Sequence, residues 1–298
     1  MTYSIVARDP DTGEMGVAVQ TCMFAVGSIV PWARAGVGAV ATQSIAEVAY
    51  GPRCLDALAH GATAAEALER ARVEDPMPAL RQVGVVDAVG RVAALTGELC
   101  IDYAGDVAGD GFTVQANMMA SPAVWPAMAA AYTDSTGPLA HRLLYALTAG
   151  EAAGGDARGR MSAALVVVEG TPSAQPGGGT VVNVRVDRSD DPIGDLAELL
   201  TAADAFAGFS RAVDELMVGD AVAALGTVDD ALALLPGEGN MRSIRSGALL
   251  ASGATDAGIA AMRELVAERA SWEVIIRGFV DKGFISLPEG LSIDRALE

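Results

Sequence analysis

The sequence predicts an α+β protein in which two stacked antiparallel sheets are covered by helices, followed by an all-helical region. Over residues 1–190, short apolar, β-branched runs bounded by turn residues alternate with pairs of helical segments. From residue 191 to residue 298, almost every segment has the alanine- and leucine-rich pattern of a helix. The 298 residues, 51% hydrophobic and 19% charged, suffice for one large or two unequal domains with a sizeable core. We therefore place a domain boundary near residue 190.

The first 22 residues predict a β-hairpin. Apolar and small polar residues alternate from Tyr3 to Ala7, Asp9-Pro10-Asp11-Thr12-Gly13 has turn chemistry, and residues 16–21 are again apolar and β-branched. Chain termini normally fray, so an apolar strand this close to the start indicates that the strand is held inside a sheet.

The following segments predict two further strands and then two helices. Residues 28–34 and 37–43 are apolar runs interrupted by glycine. Gly51-Pro52 opens a helix with an apolar face, and Thr63 begins a second helix with Glu66 in the capping-box position. This helix is expected to run to about residue 73.

The same alternation continues to residue 186. A hairpin is predicted over 81–87 and 91–96 around Ala88-Val89-Gly90, and another strand over 112–118. Two helices begin at Ser121-Pro122 and Gly137-Pro138, where proline suits the first turn. The last strands span 161–169 and 180–186, with a loop rich in proline and glycine over 171–179.

The C-terminal region predicts helices separated by glycines, over 193–207, 211–217, 221–235, 240–251 and 256–270. Such helix pairs resemble a degenerate tetratricopeptide-like repeat. Residues 272–291 are similar to a small module labelled peptidoglycan-binding in sequence surveys. Because no export signal is recognisable, we interpret this region as a structural or dimerising appendage.

Charge and composition restrict the classes of partner. The net charge of −18 argues against nucleic acid and anionic membrane, because both are bound by basic surfaces. The three cysteines form no Cys-x-x-Cys pair, which favours a reducing compartment. With neither a signal peptide nor an apolar run of about twenty residues, the sequence predicts a soluble, cytoplasmic protein.

No cofactor or metal is predicted. The two histidines, His60 and His141, lie far apart in the sequence and outside any ligand-spaced cluster with cysteine. Neither a Gly-rich phosphate loop nor a dinucleotide fingerprint follows a predicted strand. The expected partners are a small-molecule substrate and a second copy of the chain, since a homodimer is the default for such a protein.

Several motifs, taken in order, identify a family resemblance. They are Ser-Ile-Val-Ala-Arg-Asp-Pro (4–10), Gly-Val-Ala-Val-Gln (16–20), Val-Pro-Trp-Ala (30–33), Gly-Val-Gly-Ala-Val-Ala-Thr-Gln (36–43), Gln-Ala-Asn-Met-Met (115–119) and Gly-Gly-Asp-Ala-Arg-Gly-Arg-Met-Ser-Ala-Ala-Leu (154–165). Over roughly its first two thirds, the chain resembles the bacterial family called domain of unknown function 1028. The resemblance implies the fold of the N-terminal-nucleophile (Ntn) hydrolases, a four-layer αββα sandwich of two antiparallel sheets.

Three side chains are candidate nucleophiles. If Met1 is removed, Thr2 gains a free α-amine that could act as the base for its own hydroxyl. Ser4 is expected on the same sheet face as Thr2, because strand side chains alternate. Cys22 ends the second predicted strand, opposite the start of the first if the turn is symmetric. The alternatives are an ordinary strand-entry threonine and a cysteine that serves as a small buried hydrophobe.

Other polar residues are candidates for binding and orienting a substrate. Thr42, Gln43 and Glu47 follow a strand, in a stretch where binding residues tend to gather. Asn117 could donate its amide to a developing oxyanion. The candidates in the segment 154–162 are Asp156, Arg158 and Ser162. An Asp-Arg pair there could orient a substrate carboxylate or amide, or it could brace the entry to the next strand.

Two functional hypotheses follow. The first is an Ntn-type hydrolase that cleaves a C–N bond of a small molecule, such as an amide, a cyclic imide or an amidine. The alternative is a non-catalytic protein that uses the sandwich and the helical tail for ligand binding or assembly.

Overall fold

A computed structural model describes residues 2–175 and 178–298. Met1 lies outside the described residues, so the structure does not bear on its removal. Residues 176–177 of the predicted 171–179 loop also lie outside them. The chain divides into two compact units, one ending at Leu200 and one spanning Thr201–Glu298. Within the described residues, every helix is too short or too polar to cross a lipid bilayer.

The first unit contains two antiparallel sheets and four α-helices in its described part. The strands are β1 (Thr2–Arg8), β2 (Met15–Thr21), β3 (Pro31–Arg34), β4 (Gly38–Ser44), β5 (Arg81–Asp87), β6 (Val92–Thr96), β7 (Gly105–Gly109), β8 (Phe112–Asn117), β9 (Ser162–Val168) and β10 (Thr180–Val186). The helices are α1 (Tyr50–Ala59), α2 (Ala64–Val73), α3 (Val124–Asp134) and α4 (Leu139–Ala152). The strand orders are β10-β9-β2-β1-β8-β7 in one sheet and β3-β4-β5-β6 in the other.

These elements stack in four layers. Helices α3 and α4 contact the outer face of the six-stranded sheet, and α1 and α2 contact the outer face of the four-stranded sheet. Between the sheets lies a core of small and β-branched side chains that includes Val6, Val17, Ala39 and Val86. Small side chains allow the two sheets to approach closely. The predicted α+β class, with two antiparallel sheets and a helical C-terminal region, is confirmed.

The first hairpin folds as its sequence predicts. Strand β1 pairs with β2 from Thr2–Thr21 to Arg8–Met15. The Asp9 carboxylate accepts hydrogen bonds from the backbone amides of Asp11 and Thr12, both at 2.9 Å, which closes the turn. Strand β1 pairs with β8 on its other side, so this first strand lies inside the six-stranded sheet.

Several element boundaries differ from the prediction for local reasons. The predicted strand 28–34 begins only at Pro31, because Val26–Ser28 forms a 3-10 turn. Strand β7 was not predicted, since its sequence Gly-Asp-Val-Ala-Gly has a single β-branched residue among residue types that are rare in strands. The capping box at Thr63 is confirmed: Thr63 Oγ1 accepts from Glu66 N at 3.2 Å, and the Glu66 carboxylate accepts from Thr63 N at 2.8 Å.

The helical C-terminal region corrects one prediction. The segments 193–207 and 211–217 are one helix of 26 residues, α5 (Pro192–Met217). Gly208 does not break it; a Cβ there would lie 3.2 Å from the Ala231 Cβ, so the glycine allows a close helix approach. The remaining helices are α6 (Ala221–Leu234), α7 (Gly239–Ala251), α8 (Thr255–Glu268), α9 (Trp272–Asp281) and α10 (Ile293–Leu297).

A buried ion pair holds the start of β5. Arg81 donates from Nε to one oxygen of Asp75 at 2.8 Å and from its NH2 group to the other at 3.2 Å. Tyr50 OH and the Met77 amide also donate to this carboxylate. The hydrogen bond from Arg81, followed by those from Met77 and Tyr50, outweighs burial and lowers the Asp75 pKa. Asp75 is therefore charged in the folded protein at neutral pH.

Replacing Asp75 with asparagine should lower the free energy of unfolding by about 3 kcal/mol at neutral pH, because the buried Arg81 loses its counter-ion. Since folding lowers the Asp75 pKa, its contribution is complete above the ordinary carboxyl value of about 3.9 and is lost as pH falls through the folded value. Urea unfolding at several pH values should therefore show the difference between wild type and Asp75→Asn shrinking in acid. Asp56→Asn, at an exposed pair with Arg34, is the matched control. A loss that is independent of pH would contradict the assignment.

Candidate functional site

The candidate site lies at the edge of the sandwich where β1 begins. Thr2 sits between Thr21 of β2 and Asn117 of β8, which are its partners in the two strand registers. The Thr2 side chain faces the second sheet, and its Oγ1 donates to Thr21 Oγ1 at 3.2 Å. Thr2 is 6% exposed, whereas Asn117 is fully buried. Thr2 therefore lies at the outer limit of a buried polar layer.

Ser4 shares the inward face with Thr2, as the alternation predicts. Its Oγ donates to Gln43 Oε1 and accepts from Gln115 Nε2, both at 2.8 Å. Gly84 of β5 makes room for this arrangement, because a Cβ there would lie 2.3 Å from Gln115 Oε1. Ser4 is fully buried and hydrogen-bonded on both sides, so its hydroxyl joins the two sheets.

Gln82 of β5 connects this layer and was not among the sequence-predicted site residues. Its Oε1 accepts from Gln43 Nε2 at 2.8 Å and from Asn117 Nδ2 at 2.9 Å. Its Nε2 donates to the backbone oxygens of Ala116 and Gly105 and to a threonine hydroxyl of β6. The available signal was a glutamine beside the apolar run Val-Gly-Val-Val of this strand, which in a dry layer requires partners.

The carbonyl oxygen of Thr2 is held by two side-chain amides. Gln43 Nε2 donates to it at 3.1 Å and Asn117 Nδ2 at 3.4 Å. With Gln82 as its second acceptor, the Asn117 amide group has both protons engaged. Its Oδ1 is buried without a partner among the described residues. In this arrangement, Asn117 fixes the backbone of Thr2 and has no proton left for an oxyanion.

Three further candidates, Asp156, Arg158 and Ser162, lie where β2 ends and β9 begins. The Asp156 carboxylate accepts from the backbone amides of Cys22 at 3.1 Å and Arg158 at 2.9 Å, and pairs with the Arg158 guanidinium at 3.4 Å. Ser162 Oγ donates to Met23 O at 2.6 Å. These contacts tie the end of β2 to the start of β9. The Asp156–Arg158 pair is thus part of the local scaffold, one of the two interpretations left open by the sequence.

Thr42 and Glu47 lie apart from the buried layer. Because Gln43 faces the six-stranded sheet, Thr42 faces the α1 side of β4. Thr42 Oγ1 donates to Glu47 O at 3.0 Å, and Glu47 Oε1 accepts from Ala49 N at 3.1 Å. Both contacts shape the turn that leads into α1. The structure therefore brings together Thr2, Ser4, Gln43 and Asn117 and leaves Thr42 and Glu47 on another face.

Cys22 follows the strand end, so that Thr21 and not Cys22 lies opposite Thr2. Partial burial, and next the charge of Asp156, raise the pKa of the Cys22 thiol. Burial also raises the pKa of Cys54 to about 12. A raised pKa reduces the thiolate fraction at neutral pH and with it the reactivity of the sulfur.

Alkylation of folded protein with iodoacetamide should accordingly be slower at Cys22 than at an unstructured cysteine peptide near neutral pH, and it should accelerate as pH rises. Peptide mass spectrometry after timed quenching would give the rate for each cysteine. Protein unfolded in urea serves as the control, where the environments of all three thiols become equivalent. Faster alkylation of Cys22 in the folded protein would instead indicate an activated thiol.

Exposed hydrophobic side chains collect around the Thr2 edge. They lie in loops that follow or precede the strand ends there, at Met23, Phe24, Ile45, Ile101 and Tyr103. The loop before β7 is fixed to the end of β8, since the amides of Met118 and Met119 donate to the carbonyls of Ile101 and Tyr103. Apolar side chains beside a few polar groups are the composition that small-molecule sites commonly have.

The described residues contain no group of three or more histidine, cysteine, aspartate or glutamate side chains placed to hold a metal ion. His60 is exposed at the end of α1, where its Nδ1 lies 2.7 Å from Asp56 O.

Comparisons with known proteins identify the family. No curated protein matches this chain. A solved crystal structure, that of a Silicibacter pomeroyi protein of family-model DUF1028, is similar to this chain. The TM-score is 0.60, and the sequences are 33% identical, with 67% of this chain and 84% of that chain covered. The model named "Family of unknown function (DUF1028)" matches residues 2–196. With this match and the shared fold of the solved relative, the chain belongs to the DUF1028 family.

Proposed function

We propose that this protein is an Ntn-type hydrolase that cleaves a C–N bond of a small molecule, with Thr2 as the nucleophile. The observation that carries the proposal is the position of Thr2, as the first residue of an inner strand and at the outer limit of the buried polar layer. The substrate classes we consider are amides, cyclic imides and amidines. The exposed hydrophobic side chains around the Thr2 edge support a substrate with an apolar body.

The proposed reaction requires that removal of Met1 frees the α-amine of Thr2. This amine takes the proton of Thr2 Oγ1 as the oxygen adds to the substrate carbon. The C–N bond then breaks, and the proton passes to the departing nitrogen. Water hydrolyses the resulting ester and restores Thr2. The amides of Gln43 and Asn117, by holding the Thr2 carbonyl, keep hydroxyl and amine in one orientation.

The surroundings favour Thr2 over the other two candidate nucleophiles. The Ser4 hydroxyl is fully buried and engaged on both sides, so an attack by it would break the contact between the sheets. Cys22 has a raised thiol pKa, the opposite of what a nucleophilic cysteine needs. The Thr2 hydroxyl has one neighbour of its own kind, Thr21 Oγ1, which can accept its hydrogen bond without deprotonating it.

Intact-mass analysis of protein produced without an N-terminal tag tests the premise directly. We expect the mass without Met1, and we expect mild periodate to convert the exposed amino alcohol of Thr2 to an aldehyde, a reaction that requires a free amine. Screening of small amides and cyclic imides would follow. A protein that retains Met1 and resists periodate would exclude the amine as base.

A second, non-catalytic function is favoured by one feature of the second unit. A cavity of about 280 Å³ there has an almost wholly apolar lining that includes Phe209, Leu216, Phe279 and Phe284. Such a cavity suits ligand binding or assembly through the helical region. Retention of Met1, together with an absence of turnover, would favour this alternative.

We further expect a cytoplasmic homodimer that binds neither nucleic acid nor membrane lipid. The net charge of −18 and the three free cysteines support this expectation. Light scattering coupled to size exclusion would measure the oligomeric state.

A further inference from the structure

A cavity of about 590 Å³ lies at the opposite end of β8 from Thr2. It is lined by the turn between β7 and β8 and by the second half of α3, with Phe112, Tyr132 and Arg142 among its walls. It is open to solvent, and its volume is in the range of small-molecule sites. Phe112 lies five residues before Asn117 in β8, or roughly 17 Å along the strand, and it faces the helices rather than the second sheet. The cavity is therefore separate from the proposed catalytic edge.

Two hydrogen-bond donors in its walls have no partner among the described residues. Tyr132 is 2% exposed, and its hydroxyl is buried without a hydrogen bond. The Arg142 guanidinium lies 4.4 Å from the centre of the Tyr132 ring and donates from NH1 to Asp9 at 3.0 Å, but its Nε is unpartnered. Burial raises the pKa of Tyr132 to about 12, so the hydroxyl carries its proton at neutral pH. Buried unpaired donors are costly and indicate an acceptor that the protein itself does not supply.

The charges around the cavity determine which kind of ligand group can accept these hydrogen bonds. Asp9 already compensates the positive charge of Arg142, and exposed Asp110 and Asp134 add two negative charges to the cavity walls. A carboxylate or phosphate would meet a locally negative site, whereas a neutral carbonyl oxygen would satisfy the donors without that cost. Phe112 and Ala129 provide an apolar wall beside the donors.

We propose that this cavity is a second binding site, which takes a small uncharged molecule with an amide- or urea-type carbonyl. The carbonyl oxygen accepts from the Tyr132 hydroxyl and from Arg142 Nε after a shift of the cavity wall, because protein atoms cover both donors in the unliganded structure, and the apolar body packs against Phe112. The site does not depend on hydrolysis at Thr2 and exists whether or not Met1 is removed.

Three probes of similar shape separate charge from hydrogen bonding: benzamide, benzoate and benzylamine. Each is titrated into the full-length protein, with binding followed through backbone amide shifts in two-dimensional NMR spectra. Benzamide should shift the resonances of the β7–β8 turn and of α3 and should bind more tightly than either charged probe. Stronger binding of benzoate would overturn the charge argument, and an absence of shifts in these segments would overturn the site.

The Tyr132→Phe variant tests the hydroxyl alone. It removes one buried, unpartnered group, so the variant should fold with an unchanged or higher melting temperature. Benzamide affinity should fall by about three- to tenfold, the effect of one neutral hydrogen bond. Tyr145→Phe, which removes an exposed hydroxyl of α4 outside the cavity lining, is the matched control and should leave affinity unchanged. Equal benzamide affinity in wild type and Tyr132→Phe would refute the assigned role.

Discussion

Thr2→Ala is expected to abolish covalent capture of the protein by a peptidyl or small-molecule epoxyketone and to lower substrate turnover by at least ~10³-fold. An epoxyketone requires both groups of an N-terminal threonine: the hydroxyl adds to the ketone and the amine opens the epoxide, so the whole reagent mass is retained. Alanine keeps the amine and loses the hydroxyl. The variant therefore removes the proposed nucleophile, the hydroxyl, and leaves the proposed base, the amine of the same residue, in place.

Mass spectrometry of intact protein would measure the adduct, and circular dichroism would confirm that the variant is folded. Thr2→Ser is the conservative control, because it keeps a hydroxyl beside Thr21 and should retain measurable labelling. Thr12→Ala, in the exposed turn of the first hairpin, controls for the loss of a threonine elsewhere in the same hairpin. Full labelling of folded, processed Thr2→Ala would move the nucleophile to another residue.

The fold of the first unit could be predicted because its local signals agree with one another. In the first hairpin, strand alternation and turn residues both specify the antiparallel pairing of β1 and β2, whereas the register, with Thr21 rather than Cys22 opposite Thr2, came only from the structure. The capping box at Thr63 fixed a helix start in the same way. Strand β7 was missed because its identity comes from pairing with β8 rather than from its own composition.

One glycine of the helical region has a role that its sequence context did not reveal. The sequence predicted a break somewhere in residues 208–210, yet Gly208 lies inside α5, where a larger side chain would meet Ala231. A glycine that terminates a helix and a glycine that admits a neighbouring helix have the same appearance in a single sequence. Only the packing partner, which is distant in the chain, distinguishes them.

The candidate site was predicted in part. Thr2, Ser4, Gln43 and Asn117 were singled out from strand ends and motifs, and they do meet at one edge. Gln82 could not be selected, because its role depends on contacts with β4 and β8 from two different sheets. The direction of the Asn117 amide was equally beyond sequence reasoning, since its acceptors are a backbone oxygen and another side chain.

Gln82→Ala should produce the largest loss of stability at this layer, with the free energy of unfolding lower by about 4 kcal/mol. Gln82 is fully buried and makes five hydrogen bonds through one amide. Truncation leaves the Asn117 amide with one unpaired proton and the backbone oxygen of Ala116 without its side-chain donor, whereas Gln43 Nε2 keeps the carbonyl oxygens of Thr2 and Gln115 as acceptors. It also leaves a cavity between the sheets, so the desolvation and packing costs add.

The same substitution should weaken the proposed chemistry beyond its effect on folding. Gln43 and Asn117 are the two amides that hold the Thr2 carbonyl, and both also donate to Gln82 Oε1. Urea unfolding, and epoxyketone labelling under conditions where the variant remains folded, would measure the two consequences separately. Gln175→Ala, at an exposed position, should change neither. A Gln82→Ala protein of near wild-type stability would mean that water or a shifted neighbour replaces the glutamine amide, and that the two sheets are not joined through this residue. If stability fell while labelling of the folded fraction stayed unchanged, Gln82 would support the sandwich without orienting Thr2.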